Sequence, residues 1–216
     1  MYARLQSTQA PLPRNEDNAE SATLITATIS AHPGFRELYL MKQIGWGRGT
    51  MLSLWATQAD ADNASARTAD FRGPRPFALD ADAVYQVVDH WSGSGADQAP
   101  AAASIVHFDG PVSDARLDAA RRAVRERIQP VLTCVPGIIR TMTLWQPDER
   151  SLAEVAFAIS IDALDDASRA VNATSLLAGE DPALLTGPDR VVPYHVIGAS
   201  TAAERPRQST GRAGPR

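Results

Sequence analysis

The sequence predicts an α+β protein built from two ferredoxin-like βαββαβ repeats, packed on each other as an intrachain, pseudo-dimeric α+β barrel. Three observations carry this. A Pro-Gly junction occurs twice, about 103 residues apart, as Pro33-Gly34-Phe35 and Pro136-Gly137-Ile138. Each junction opens a pair of strands, residues 37–41 and 51–55 in the first copy, 141–145 and 155–159 in the second. Each pair leads into an acidic, alanine-rich segment, and the closing strands rhyme, Tyr85-Gln86-Val87-Val88 against Tyr194-His195-Val196-Ile197. A period this long marks a duplicated domain, because solenoid units run to about 20–50 residues.

The elements follow in order. Alternation over residues 2–7 reads as a strand, ended by Pro11 and Pro13. Residues 15–31 carry Ala22, Ile25 and Ile29 at helical spacing. The two central strands are joined by the turn Gly45-Trp46-Gly47-Arg48-Gly49. A short helix over 59–67, a polar loop over 69–76 and a strand over 83–91 complete a β-α-β-β-α-β unit. The first repeat thus spans 1–91, a Ser/Gly/Ala/Pro linker 92–102, and the second repeat 103–200; an arginine-rich tail, 201–216, has too little apolar surface to fold.

The second repeat starts with a strand over 104–109. Its first helix has Ser113 as cap, Asp114 at the positive helix end, and Val112 placed to staple onto Leu117. Leu117, Ala120, Val124 and Ile128 form its apolar stripe, which leaves Arg121, Arg122, Arg125 and Arg127 on a solvated face. Pro130 should kink or end this helix, with resumption as far as Thr133. Each four-stranded sheet would have one face covered by its own helices. The other face needs a partner, and the second copy supplies it.

Composition narrows the function classes. Hydrophobic residues make up 44% and charged residues 21%, as expected of a globular chain with a sizeable core. A net charge of −4 and a pI near 5.6 give no general attraction for nucleic acid or anionic membrane. Exposed aromatics on central strands and a basic field, which an RNA-binding sheet needs, are not evident. No run reaches the roughly 18 apolar residues of a membrane span, and the N-terminus does not resemble a secretory leader. The expected location is cytoplasmic, as a monomer or weak homodimer. Cys134 stands alone, and the 4 histidines show no metal-ligand spacing.

A first helix ending in Pro-Gly-aromatic, a strand, a glycine-containing turn and a strand ending in Leu54-Trp55, with Asp60 and Asp62 downstream, resembles the antibiotic biosynthesis monooxygenase superfamily. This is the dimeric α+β barrel group, here in a tandem-fused form covering the chain to about residue 200. The second copy departs from the pattern, with Phe157-Ala158 in place of Leu-Trp. The resemblance implies a small-molecule substrate. Members include cofactor-independent oxygenases of polycyclic phenols, haem-degrading enzymes and quinol-modifying enzymes. The haem branch uses an Asn on the first strand, a Trp ending the third, and a His about ten residues beyond. Here those places hold Gln6, Trp55 and Ser65, so haem and other cofactors are not expected.

Alternation puts Tyr2, Arg4 and Gln6 on one face of the first strand and Ala3 and Leu5 on the other. The 103-residue offset sets His107 opposite Arg4 and Asp109 opposite Gln6. These polar groups either line a pocket between sheet and helices or make structural hydrogen bonds at the barrel seam or rim. Cofactor-free oxygen chemistry needs an acid–base group and a cation, for which His107 and Arg4 are the candidates. Trp55 would supply an aromatic wall, with Gln6, Tyr85 and Asp109 as further substrate contacts and no metal. Tyr85 and Tyr194 close equivalent strands, where packing or seam roles also fit. The functional reading is a cofactor-independent monooxygenase or oxidoreductase acting on an aromatic or polycyclic small molecule, its pocket in the first half. The alternative is a non-catalytic small-molecule-binding or regulatory protein of the same fold. An enclosed pocket of several hundred Å³ would favour the enzyme.

Overall fold

Residues 1–11, 16–70 and 79–202 are described by the computed structural model. The first half runs β1 (Tyr2–Pro11), α1 (Glu16–Ser30), β2 (Phe35–Gln43), β3 (Arg48–Trp55), α2 (Gln58–Asp70) and β4 (Leu79–Ser92). The second runs β5 (Ala102–Phe108), α3 (Asp114–Ala123), α4 (Gln129–Cys134), β6 (Ile138–Gln146), β7 (Ser151–Ala158), α5 (Ile161–Asn172) and β8 (Arg190–Thr201). The strands close into one antiparallel barrel in the order β1-β3-β2-β8-β5-β7-β6-β4. Both seams, β2–β8 and β4–β6, join one half to the other. Neither sheet therefore keeps an open edge.

The two Pro-Gly junctions recur for a geometric reason. Gly34 and Gly137 have φ of +74° and +83°, and a side chain at Gly34 would strike Asp60 while one at Gly137 would strike Ile159. Asp60 itself has a structural duty. Its carboxylate accepts from the Thr57 backbone N–H at 3.1 Å, while Thr57 Oγ1 accepts from the Asp60 backbone N–H at 3.1 Å. That reciprocal capping box starts α2. Ser113 and Ser160 cap α3 and α5 in the same way, accepting from the backbone N–H groups of Arg116 and Ala163.

Between α3 and α4 the helix widens into a π turn over Val124–Ile128, and α4 opens with Pro130 at its N-terminus. A proline has no N–H to offer the preceding turn, so this break is where the helix yields. Of its arginines, Arg122 and Arg125 stay solvated, as the helical spacing predicts. Arg127 does not: its side chain is only 12% exposed and donates to Glu180 at 3.0 Å and Thr174 at 3.0 Å. It thereby pins the long connection between α5 and β8.

Alternation along the strands sorts the core. Ala3, Leu5, Tyr39, Met41, Leu52, Leu54, Ile105, Met142, Leu144, Val155 and Phe157 point into the barrel and form its core. Phe35, Leu38, Leu40 and Trp55 face outward beneath α1 and α2, and Ile138 and Ala158 do the same beneath α4 and α5.

Two expectations need correction. The repeat offset is 103 in the central hairpins, where Phe35 and Ile138 pair with Trp55 and Ala158, but 100 in the opening strands, where Tyr2 and Ala102 pair with those same residues. Ser104 and Val106, not His107 and Asp109, are therefore the counterparts of Arg4 and Gln6, and His107 answers Ser7. The longer connection from β5 to β6 absorbs the difference. Second, the 92–102 connector is not a loose linker. Gly93 and Gly95 donate to Ile139 and Ile138, Ser94 bonds Val135, and Ala101 donates to Ala158. Its small residues allow this close approach, since a side chain at Gly93 would collide with the Ile138 carbonyl. The loop expected over 69–76 and the tail beyond Ala202 lie largely outside the described residues.

Candidate functional site

The sequence-predicted site residues fall into two groups on opposite faces of the barrel wall. Arg4, Gln6 and Trp55 face outward in the first half. Arg4 is 6% exposed; its Nε and Nη2 donate to the two Asp82 carboxylate oxygens at 2.7 and 2.5 Å, and Nη1 donates to the Ala61 carbonyl at 2.9 Å. Gln6 donates to the same Asp82 carboxylate at 3.0 Å. Trp55 has no exposed surface: its indole N–H donates to Ser53 Oγ at 2.9 Å and its ring meets Phe35 edge-on at 5.9 Å. The aromatic wall expected of Trp55 is thus packing mass between β3 and α2. The Arg4–Gln6–Asp82 cluster ties β1 to β4 and α2.

His107 and Tyr85 meet elsewhere, inside one end of the barrel, with Asp109 exposed at its mouth. Strands four places apart in the ring stand opposite each other, which sets β1 against β5 and β4 against β8. Tyr85 and Tyr194 occupy matching positions on β4 and β8, paired with Ala3 and Ala103, so they face across the barrel. Ser7 and His107 likewise face across it from β1 and β5. Around them lies a recess of about 190 Å³ lined by Leu5, Ala83, Tyr85, His107, Val192 and Tyr194, with Arg48, Asp80, Asp109 and Arg190 at its rim. At the far end the interior is closed by Tyr39, stacked on Phe157 with ring centroids 4.1 Å apart, and by the Glu37–Arg140 ion pair.

The lining of this chamber carries no net charge, because its four charged side chains stand in two ion pairs. Arg190 Nε and Nη2 each donate to Asp109 at 2.7 Å, holding that carboxyl below its ordinary range. Arg48 pairs with Asp80 at 3.2 Å. Burial, with the Arg190 charge acting in the same direction and Asp109 opposing, lowers the His107 pKa to about 4. The imidazole is therefore neutral at pH 7. Burial also raises the phenols of Tyr85 and Tyr194, with Ser151 and Thr50 opposing, so both keep their protons. Such a lining can donate and accept hydrogen bonds. It has no strong base, since an imidazole whose conjugate acid titrates near 4 takes little proton density from a phenol.

Among the described residues no group of three or more His, Cys, Asp or Glu could hold a metal ion. Nor is any described helix long and apolar enough to cross a membrane. Sequence reasoning missed Arg190, Arg48 and Asp80 and gave Tyr194 only a packing or seam role. The signal was present in the opening strands: aligned at 100 rather than 103 residues, β1 and β5 put Ser7 and His107 at one interior level. Arg190 then follows as the residue paired with His107 on β8.

No family model matches the chain, and no curated protein matches it. Solved structures do. An anthrone oxidase-like protein superposes with a TM-score of 0.60 at 16% identity, covering 94% of each chain. A monooxygenase candidate from Fusobacterium nucleatum gives 0.64 at 10% identity over 93% of this chain and 94% of the other. A ferredoxin-fold protein from Listeria monocytogenes, related to antibiotic biosynthesis monooxygenases, gives 0.51 at 10% identity over 91% and 95%. At such identities the likeness is one of fold: this chain folds as a single-chain α+β barrel similar to those structures.

Proposed function

We propose that this protein binds an aromatic small molecule, no larger than one substituted ring, in the chamber at the His107 end of its barrel. The observation that carries the reading is the convergence of His107, Tyr85, Tyr194 and the Asp109–Arg190 pair on one recess of about 190 Å³. An engineered apolar cavity of about 150 Å³ takes up benzene, so this space suits a single ring. It is too small for the polycyclic substrates that the sequence resemblance allows. The neutral lining and the weakly basic His107 favour binding over deprotonation and oxygenation within the chamber.

A second reading keeps the chemistry of the fold's enzymes: a cofactor-independent oxidoreductase working on the outer face of the first half. Two things support it, the gathering of Arg4, Gln6, Ser53 and Trp55 there and the likeness to an anthrone oxidase-like protein. On this reading Arg4 would leave Asp82 to hold a substrate oxyanion, without metal or organic cofactor. One experiment separates the two. Metal-free protein is titrated with single-ring phenols and anthrones while binding heat and oxygen uptake are followed. Binding without oxygen uptake, abolished by His107→Phe in a protein that still melts cooperatively, is the expected result. Oxygen uptake abolished by Arg4→Gln would establish the second reading instead. Neither heat nor uptake would overturn both.

A further inference from the structure

Resting on the chamber reading, we infer that its ligand is a neutral single-ring molecule carrying a hydrogen-bonding oxygen at each end, held across the barrel between Tyr85 and Tyr194. The topology supplies the first argument. These phenols sit at matching positions on diametrically opposed strands, one from each half, and both line the recess. Each retains its proton, so each phenol O–H can donate to a ligand and each phenol oxygen can accept from one. Two inward donors on opposite walls fit a ligand with an acceptor at either end. Leu5, Ala83 and Val192 supply the apolar surface on which a ring between those ends would rest.

Charge supplies the second argument. The chamber's cations are already matched, Arg190 by two 2.7 Å bonds to Asp109 and Arg48 by Asp80. A carboxylate ligand would bring a further negative charge beside Asp109 and Asp80, which already neutralise these two cations. His107 is neutral and adds no attraction for an anion. A neutral ligand meets none of these penalties.

The test is calorimetric, at pH 7, on the full chain, with 4-methoxyphenol, anisole, toluene and benzoate as probes. They carry oxygens at both ends, at one end, at neither, and a charge. The expected order is 4-methoxyphenol, then anisole, then toluene, with benzoate weakest. Tyr85→Phe and Tyr194→Phe should each weaken 4-methoxyphenol by about fivefold, the worth of one net hydrogen bond, and leave toluene unchanged. Both substitutions conserve the ring, and a melting curve verifies that each variant is folded. Benzoate binding tightest, or wild-type 4-methoxyphenol affinity in both variants, would overturn the ligand class while leaving the chamber as a site. If no ring binds, the chamber reading falls as well.

Discussion

Glu37 and Arg140 occupy equivalent positions in the two halves, paired with Leu54 and Phe157 on their neighbouring strands, and they form an ion pair with each other across the barrel. Tyr39 completes the cluster, donating to Glu37 at 2.6 Å and accepting from Arg140 at 3.2 Å. Burial first, and Glu37 second, push the Tyr39 pKa up to about 12. In a barrel made of two identical chains, one residue would face its own copy here, acid on acid or base on base. Fusion of two diverged copies permits an acid to face a base, and this chain uses that freedom to close one end of its barrel.

Reversing one charge tests the pair. Glu37→Arg leaves two guanidinium groups facing each other in a half-buried space and should cost about 2–3 kcal/mol. The double exchange, Glu37→Arg with Arg140→Glu, should recover most of that loss. Chemical denaturation of the three proteins measures it. Equal costs for the single and the double variant would mean the two residues do not interact.

His107 makes stability pH-dependent in a defined window. The unfolded chain takes a proton at the ordinary value of 6.5, whereas burial holds the folded value to about 4. The unfolded state therefore binds more protons between these values, and stability is lost as pH falls from 6.5 towards 4. The His107→Gln variant should lack this part of the decline. Melting curves of the two proteins at half-unit pH intervals give the comparison. Asp109, held below 3.8 chiefly by its hydrogen bonds from Arg190, gives up its own contribution only in stronger acid, so the two effects separate.

Glu154 has the opposite sign. It lies in register with Thr143 and Val106 on the outer wall of the second half. Its Oε2 accepts from Thr143 at 2.9 Å, while Oε1 is shielded from solvent and has no hydrogen-bond partner among the described residues. Burial, with Asp89 adding to it and Thr143 opposing, raises its pKa from 4.5 to about 8. The folded state holds the extra proton between those values, so stability falls as pH rises through them. Glu154→Gln should match wild type near pH 5 and exceed it above pH 8 by about 1–3 kcal/mol. Melting temperatures at the two pH values decide this.

Trp55 distinguishes packing from ligand contact. Truncation to Ala should cost about 3–5 kcal/mol, as for other buried aromatics. Trp55→Phe should cost far less, because it keeps the contact with Phe35 and loses only the bond to Ser53. Neither should alter the affinity of a single-ring phenol for the chamber, since Trp55 points to the other side of the wall. A loss of affinity out of proportion to the loss of stability would return Trp55 to the binding machinery.

The architecture was legible in the sequence because its signals are local. Pro33-Gly34 and Pro136-Gly137 demand a left-handed turn that only glycine takes without strain, alternation sets strand faces, and Ser113 followed by an amphipathic run starts a helix. Twice-repeated, those signals also required a partner for each bare sheet face. The site was not legible in the same way. Whether Arg4 meets a ligand or Asp82 depends on residues 78 positions apart in the chain, and no local pattern states that. His107 was found by residue type but put on the wrong face: a three-residue difference in one helical connection changes the repeat offset, and an odd-numbered shift reverses the side of a strand. The closing of the ring decided what His107 sees. By setting β1 against β5 and β4 against β8, it placed Tyr85 opposite Tyr194, with both side chains lining one recess.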